Sequence, residues 1–147
     1  MCWVNRPSTF LLESTTMNTN SRGVEAAQAG DLTKAEMLFK QAYAEDPSNQ
    51  GIFQNIIRAM QMRGDIEGLI NYYEQVRTEN NNLIADKNIE IQIIELALRA
   101  GRQQKAKKIL LNRANQGDYS AAIIAPLTEI LFENNELEQA KILLIKA

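Results

Sequence analysis

A turn signal recurs along this chain at nearly constant spacing, and it governs the other inferences from the sequence. The turn residues Gly30, Gly64, Gly101 and Asn135 lie 34, 37 and 34 residues apart. Glycine and asparagine tolerate the left-handed backbone that ends many helices. A period of about 20 to 50 residues is typical of stacked repeat arrays, which usually present a binding surface. Five positions after each turn stands an apolar residue: Ala35, Leu69, Ala106 and Ala140.

Composition favours a single all-α domain. The 147 residues are 45% hydrophobic but only 6% aromatic, with three prolines, which suits small and aliphatic side chains in helices. The net charge of −2 gives no global attraction to nucleic acid or anionic lipid. The apolar run Phe10–Leu12 is too short for a signal peptide, and no run reaches the roughly 20 residues that span a bilayer. We expect a soluble, cytoplasmic chain.

The apolar residues follow the pattern helix, tight turn, helix. In the second helix Ala35, Leu38, Phe39 and Ala42 recur at three- and four-residue spacing, and Asp46-Pro47 ends the helix. The same spacing follows in the rest of the chain. It predicts buried faces at Phe53, Ile56, Ile57, Met60, Ile66, Leu69, Ile70, Tyr73, Val76, Ile91, Ile94, Leu98, Ala106, Ile109, Leu110, Ile124, Leu127, Leu131, Leu137, Ala140 and Leu144.

With Gly23, Gly30-Asp31-Leu32, Ala35, Phe39, Ala42 and Pro47 in one unit, the chain resembles the tetratricopeptide-repeat family. The resemblance implies small residues where paired helices approach closely and large ones, such as Phe53 and Tyr73, between units. It also implies an α-solenoid, a right-handed superhelix of antiparallel helix pairs, with about 3.5 to 4 repeats over residues 17–147. The units are approximately 17–47, 48–83, 84–117 and 118–147, the last one incomplete.

Several segments depart from the repeat. Residues 1–16 are interpreted as an unstructured leader or as lying before the true start; the alternative is that Trp3 and Phe10–Leu12 fold over the first unit as a lid. Glu79–Lys87 is expected to be a longer connection. Pro126 should kink its helix or make it begin later. The last helix, near Ala147, lacks a polar closing partner, which suggests that the array continues or that this helix packs on another chain.

The sequence argues against catalysis. It has no histidine, and its single cysteine is Cys2, so neither a Ser-His-Asp arrangement nor the usual zinc sites can form. No glycine-rich phosphate loop is present. We therefore expect no catalytic, cofactor-binding or metal-binding residues, and no cofactor.

The family resemblance implies that the first helix of each unit lines a concave groove that takes a peptide. A side-chain amide such as that of Asn55 can bind peptide backbone, and Arg58 can take a carboxylate. The alternative, ordinary polar residues on a wet helix face, is favoured for any single position. The groove candidates are Asn20, Val24, Gln54, Asn55, Arg58, Gln92, Glu95 and Glu129.

One subclass of the family binds the carboxylate end of its chaperone partner through a clamp of Lys, Asn and Arg. Asn55 matches the clamp asparagine of the second unit. The other clamp positions hold Asn20, Val24, Asn88 and Gln92, so the cations are missing. Chaperone carboxylate-clamp binding is not expected.

Residues 99–117 contain six basic side chains and no acidic one. Such a patch suits an acidic partner or RNA, but it contains no aromatic residue to stack on a base, and the total charge is negative. A solvated outer face balanced by acidic neighbours is favoured, and nucleic acid is not expected as a partner. The patch comprises Arg99, Arg102, Lys105, Lys107, Lys108 and Arg113.

These observations predict a non-catalytic protein-interaction module that binds a peptide or partner protein of unknown identity on the concave face of a helical-repeat array. The alternative is the N-terminal substrate-presenting repeat region of a larger enzyme, for example a transferase. A third hypothesis is self-association through the last helix.

Overall fold

The computed structural model describes residues 3–4, 13–79 and 86–147, with the backbone alone for 13–16. Within these residues the chain forms eight α-helices and no strand. The expected all-α class is therefore confirmed. The helices are α1 (Glu13–Gln28), α2 (Leu32–Glu45), α3 (Gln50–Arg63), α4 (Ile66–Glu79), α5 (Lys87–Arg99), α6 (Gln103–Asn115), α7 (Ala121–Glu133) and α8 (Leu137–Lys146).

The chain divides into two compact units, Met1–Asp86 and Lys87–Ala147. In the first unit α1 packs on α2, α2 on α3, and α3 on α4. In the second unit α5 packs on α6, α6 on α7, and α7 on α8. Each unit is thus a run of helices in which consecutive helices pack together.

The four predicted turns share one geometry. Gly30, Gly64, Gly101 and Asn135 all have positive φ, between 59° and 85°. After each turn residue, the next N–H donates to a carbonyl five residues back, which is the hydrogen bond of a Schellman helix end. These bonds are Asp31 to Ala26 at 2.9 Å, Asp65 to Met60 at 3.0 Å, Arg102 to Ala97 at 2.7 Å and Glu136 to Leu131 at 2.7 Å.

Most of the predicted apolar faces are buried, including the four residues that follow the turns, which have no exposed surface. Three predictions were wrong, because Leu98, Leu137 and Leu144 are exposed. Leu98 lies in the last turn of α5, and Leu137 is the first residue of α8, where a helix turns toward its connection. In α8 only Ala140 is buried, so Leu144 lies on the solvent side.

Two helices differ from expectation at their ends. α1 begins at Glu13, ahead of the start expected near Met17. α7 begins at Ala121 and encloses Pro126, so the helix does not begin later to avoid the proline. Proline removes one helix hydrogen bond, and burial of the apolar face of α7 offsets that loss.

Residues 80–85 of the expected long connection, and Phe10–Leu12 of the suggested lid, lie outside the described residues. No helix in the described part of the chain combines the length and apolar character needed to cross a membrane.

Candidate functional site

Two residues near the start of the chain, Trp3 and Val4, lie against the helices of the first unit. The Trp3 ring stacks on Phe39 of α2, with ring centroids 5.3 Å apart and planes inclined by 26°. The guanidinium carbon of Arg58, on α3, lies over the Trp3 ring at 5.6 Å from its centroid. An aromatic face and a cation therefore both contact the indole, an arrangement that favours an electron-rich ring.

The main chain of Val4 is held by two side-chain amides. Its N–H donates to Asn55 Oδ1 at 2.8 Å, and its carbonyl accepts from Asn55 Nδ2 at 2.7 Å. The same carbonyl accepts from Asn20 Nδ2 at 2.7 Å. In extended backbone the N–H and C=O of one residue point to the same side, so one amide can pair with both.

The two asparagines form a single buried unit. Asn55 Nδ2 also donates to Asn20 Oδ1 at 3.1 Å, and neither residue has exposed surface. Both N–H groups of the Asn55 amide are thus used, one on the peptide backbone and one on Asn20. A buried amide without hydrogen-bond partners lowers the stability of the fold. The hydrogen bonds to Val4 therefore offset the burial of the two asparagines.

Gly51 makes room for the Val4 side chain. A β carbon built at Gly51 would lie only 2.4 Å from Val4 Cγ1. Gly51 is the second residue of α3, whose start is capped by the Asn49 side chain accepting from Ile52 N at 3.3 Å. The first turn of α3 therefore offers a bare stretch of backbone to a branched side chain.

The structure brings some of the predicted groove residues together. Asn20, Asn55 and Arg58 converge on Trp3 and Val4, and the expectation of a wet helix face does not hold for the two buried asparagines. Val24 and Gln54 are half-buried in the same unit. Gln92, Glu95 and Glu129 are exposed on α5 and α7 of the second unit.

Sequence reasoning missed Val4, Gly51 and Phe39 as parts of this site. Residues 3–4, which the sequence analysis assigned to an unstructured leader, lie against the helices of the first unit. The lid alternative named Trp3 for its large apolar side chain. Nothing in the repeat could have indicated Val4, because it contributes its main chain and lies outside the periodic pattern.

The basic patch of the second unit is partly neutralised. Arg113 Nε lies 3.0 Å from Glu90 Oε2, and Lys107 Nζ lies 2.6 Å from Glu136 Oε1. Arg102 and Lys105 each take part in a polar or electrostatic interaction. The side chains of Arg99 and Lys108 are exposed. The six cations are therefore not equivalent, and at least two of them serve packing between helices.

A second concavity, of about 410 Å³, lies between α2 and α4. Burial and the neighbouring Glu79 raise the pKa of Tyr72 to about 12, and Lys40 Nζ lies 4.5 Å from the centroid of its ring. Burial also raises the pKa of Tyr43, so both phenols stay protonated at neutral pH. The cleft is lined by Lys40, Tyr43, Ala44, Pro47, Tyr72, Gln75, Val76 and Glu79.

Within the described residues no three His, Cys, Asp or Glu side chains group as a metal site would require. Comparison with protein-family models gives no match to this chain. Comparison with curated proteins likewise gives no significant match. The contacts of Trp3 and Val4 are therefore the main guide to function.

Proposed function

We propose that this chain is a non-catalytic protein-interaction module that binds a peptide segment of a partner protein in extended conformation. The binding surface is the groove formed by α1, α2 and α3, within a tetratricopeptide-like right-handed superhelix in the cytoplasm. The same groove would serve a free-standing adaptor or the substrate-presenting repeat region of a larger enzyme.

One observation carries this proposal: Asn55 pairs with both the N–H and the carbonyl of Val4. Hydrogen bonds to the main chain are independent of side-chain identity, so they suit a surface that binds peptides. The site stands on packed helices, and a preformed site loses little conformational entropy on binding. Asn20 fixes the Asn55 amide from the opposite side, which orients its remaining groups toward the peptide.

The test uses a chain whose groove has been vacated. In a Trp3→Ala/Val4→Pro variant the stacking ring and the Val4 N–H are both removed. This variant should retain members of a synthetic library of unstructured octapeptides, measured by mass spectrometry after equilibrium capture. Adding Asn55→Ala should abolish retention, while Gln61→Ala, at an exposed position on the same helix, should not. Retention of no peptide, or equal retention after Asn55→Ala, would show that the groove does not bind peptide backbone.

A further inference from the structure

We infer that the groove selects an aromatic residue followed by an aliphatic one, and that Trp3-Val4 is a tethered copy of this ligand that a partner must displace. This inference rests on the proposed function and adds the class of peptide and its regulation. The inference follows from three features of the site. One subsite holds an aromatic side chain, a second holds an aliphatic side chain, and a third binds the peptide main chain through an amide whose hydrogen-bonding groups are all in use.

The aromatic subsite is formed by Phe39 and Arg58. The Phe39 side chain has no exposed surface in the folded chain, and Trp3 stacks on it. Arg58 adds a cation over the ring of the bound side chain. An aromatic ligand satisfies both contacts, whereas an aliphatic side chain gains neither stacking nor cation–π attraction.

The aliphatic subsite is the backbone of α3 at Gly51. Val4 Cγ1 approaches so closely that even a methyl group at Gly51 would collide with it. This surface is narrow, and the neighbouring main-chain groups of Val4 are already held by Asn55 and Asn20. The position therefore suits a compact branched side chain, and a charged one would lose its hydration there.

The main-chain subsite cannot hold two peptides at once. Both donors of the Asn55 amide are used, and its oxygen accepts from Val4 N–H. A partner peptide can pair with Asn55 only after Val4 has left. Because the competing segment is tethered, its effective concentration is on the order of millimolar. The intact chain should therefore bind an external peptide more weakly than a vacated chain does.

Trp3 is the only tryptophan in the chain, so its emission reports on occupancy of the groove directly. The probe is a tryptophan-free octapeptide with blocked ends that carries Phe-Val in an otherwise Ser/Asn sequence. Titrated into the intact chain, it should shift the Trp3 emission to the red as Trp3 enters water. Two matched peptides, one with Phe→Ala and one with N-methylated valine, should each bind at least about tenfold more weakly.

Two protein variants complete the experiment. The Trp3→Ala/Val4→Pro chain should bind a fluorescein-labelled Phe-Val peptide at least about tenfold tighter than the intact chain. Gly51→Ala, introduced on that background, should reverse the preference, so that Phe-Gly binds better than Phe-Val. Alanine is a better helix former than glycine, but its β carbon would also lie 3.2 Å from the capping oxygen Asn49 Oδ1. The circular dichroism spectrum of the Gly51→Ala chain should therefore match that of its parent for the result to count.

The outcomes separate this inference from the proposed function. Trp3 emission that is already fully solvent-exposed in the free chain would overturn the inference. So would a vacated chain that binds peptides with no preference for Phe-Val, although peptide binding itself would then stand. A vacated chain that binds no peptide would overturn both proposals.

Discussion

At the scale of single residues, Asn55 is the centre of the candidate site, since it lies on α3 and hydrogen-bonds both Asn20 of α1 and the main chain of Val4. Replacing it by alanine would leave the Val4 N–H and the Asn20 oxygen without these partners. We expect Asn55→Ala to lower the free energy of unfolding by about 1–3 kcal/mol, and to expose Trp3. Urea denaturation followed by circular dichroism measures the first effect and Trp3 emission the second. Gln61→Ala, at an exposed position on the same helix, should change stability by less than about 0.5 kcal/mol. Unchanged Trp3 emission in Asn55→Ala would contradict the assigned contacts.

Asp118 should make the stability of the second unit depend on pH in the acid range. Its carboxylate accepts from Ser120 Oγ at 2.7 Å, and Lys87 Nζ lies 3.0 Å away. The Ser120 hydrogen bond, supported by Lys87, lowers the pKa of Asp118 from 3.8 to about 2. A carboxyl group with a lowered folded-state pKa adds stability above its unfolded pKa and loses it as the pH falls through the folded one.

The stability contributed by Asp118 should therefore be complete above pH 4 and lost between about pH 4 and pH 2. Thermal unfolding measured across this range should show a smaller decrease in Tm for Asp118→Asn than for the parent chain. Equal pH profiles for the two chains would mean that the carboxylate has the same pKa in both states.

The sequence indicated the two asparagines of the site but not the main chain that they bind. Asn55 and Asn20 were predicted because the family resemblance implies a groove on the first helix of each unit. Trp3 and Val4 lie outside the repeat, and the bonds of Val4 come from its main chain. A periodic pattern indicates which helix side chains face inward. It gives no information on a main chain from outside the repeat that binds to these helices.

At the scale of helices, α1 and α2 pack closely because one residue has no side chain. A β carbon at Gly23 would lie 2.6 Å from two ring carbons of Phe39, which is fully buried. Gly23→Ala gains up to about 1 kcal/mol in helix propensity. The overpacking cost of about 1–3 kcal/mol should exceed it, and it falls on the ring that supports Trp3.

We therefore expect Gly23→Ala to lower the Tm of the first unit and to weaken binding of Phe-containing peptides. Differential scanning calorimetry and the peptide titration measure these effects. Glu25→Ala, an exposed change on the same helix, is the control. A Gly23→Ala chain more stable than the parent would show that Phe39 can move aside at little cost.

One position on α2 and the matching position on α6 each carry a residue that forms an ion pair, and the two residues have opposite charges. Directly after Ala35, Glu36 pairs with Arg63 at 2.8 Å; directly after Ala106, Lys107 pairs with Glu136 at 2.6 Å. Arg63 is the last residue of α3, one position before Gly64, whereas Glu136 follows Asn135. The pairs therefore share the position on α2 and α6 but not the position of the partner, and the opposite signs account for part of the uneven charge along the chain.

Arg113 should be the member of the basic patch that contributes most to stability. Its partner Glu90 is only 5% exposed, and removal of one member of a buried pair leaves an uncompensated charge. We expect Arg113→Met to destabilise the second unit by up to about 3 kcal/mol. Lys108→Met, at an exposed site, should change stability by less than about 0.5 kcal/mol. Chemical denaturation of both variants tests this, and equal stabilities would mean that the Glu90 carboxylate is well solvated.

Helix ends follow the sequence where a turn residue stands and depart from it elsewhere. The four turns end α1, α3, α5 and α7 as expected. The start of α1 at Glu13 was not predicted, because residues 1–16 have no match to the periodic pattern. Of the two alternatives for Pro126, a later start is wrong, since α7 begins at Ala121 and encloses the proline. In α7 the buried face, which includes Leu127 and Leu131, outweighs the cost of the internal proline.

At the scale of the whole molecule, the irregular spacing between turns coincides with a boundary in the fold. The separation of 37 residues, against 34 on either side, lies between Gly64 and Gly101. The chain divides into its two compact units within that interval, at Asp86. The regular period therefore predicts the helix pairs. The one longer interval contains the boundary between the two compact units.

The negative total charge of the chain disfavours binding to nucleic acid. The net charge is −2, and Lys107 and Arg113 are engaged by carboxylates inside the second unit. Phosphate binding requires several free cations and depends steeply on salt. We expect no measurable binding of a fluorescein-labelled uridine oligonucleotide at micromolar protein and roughly 150 mM salt. Fluorescence anisotropy over a salt series measures this. Affinity that falls steeply with salt and is lost in Lys105→Glu/Lys107→Glu/Lys108→Glu would instead identify the patch as a nucleic-acid surface, and the variant's unfolding curve would show whether the loss is local.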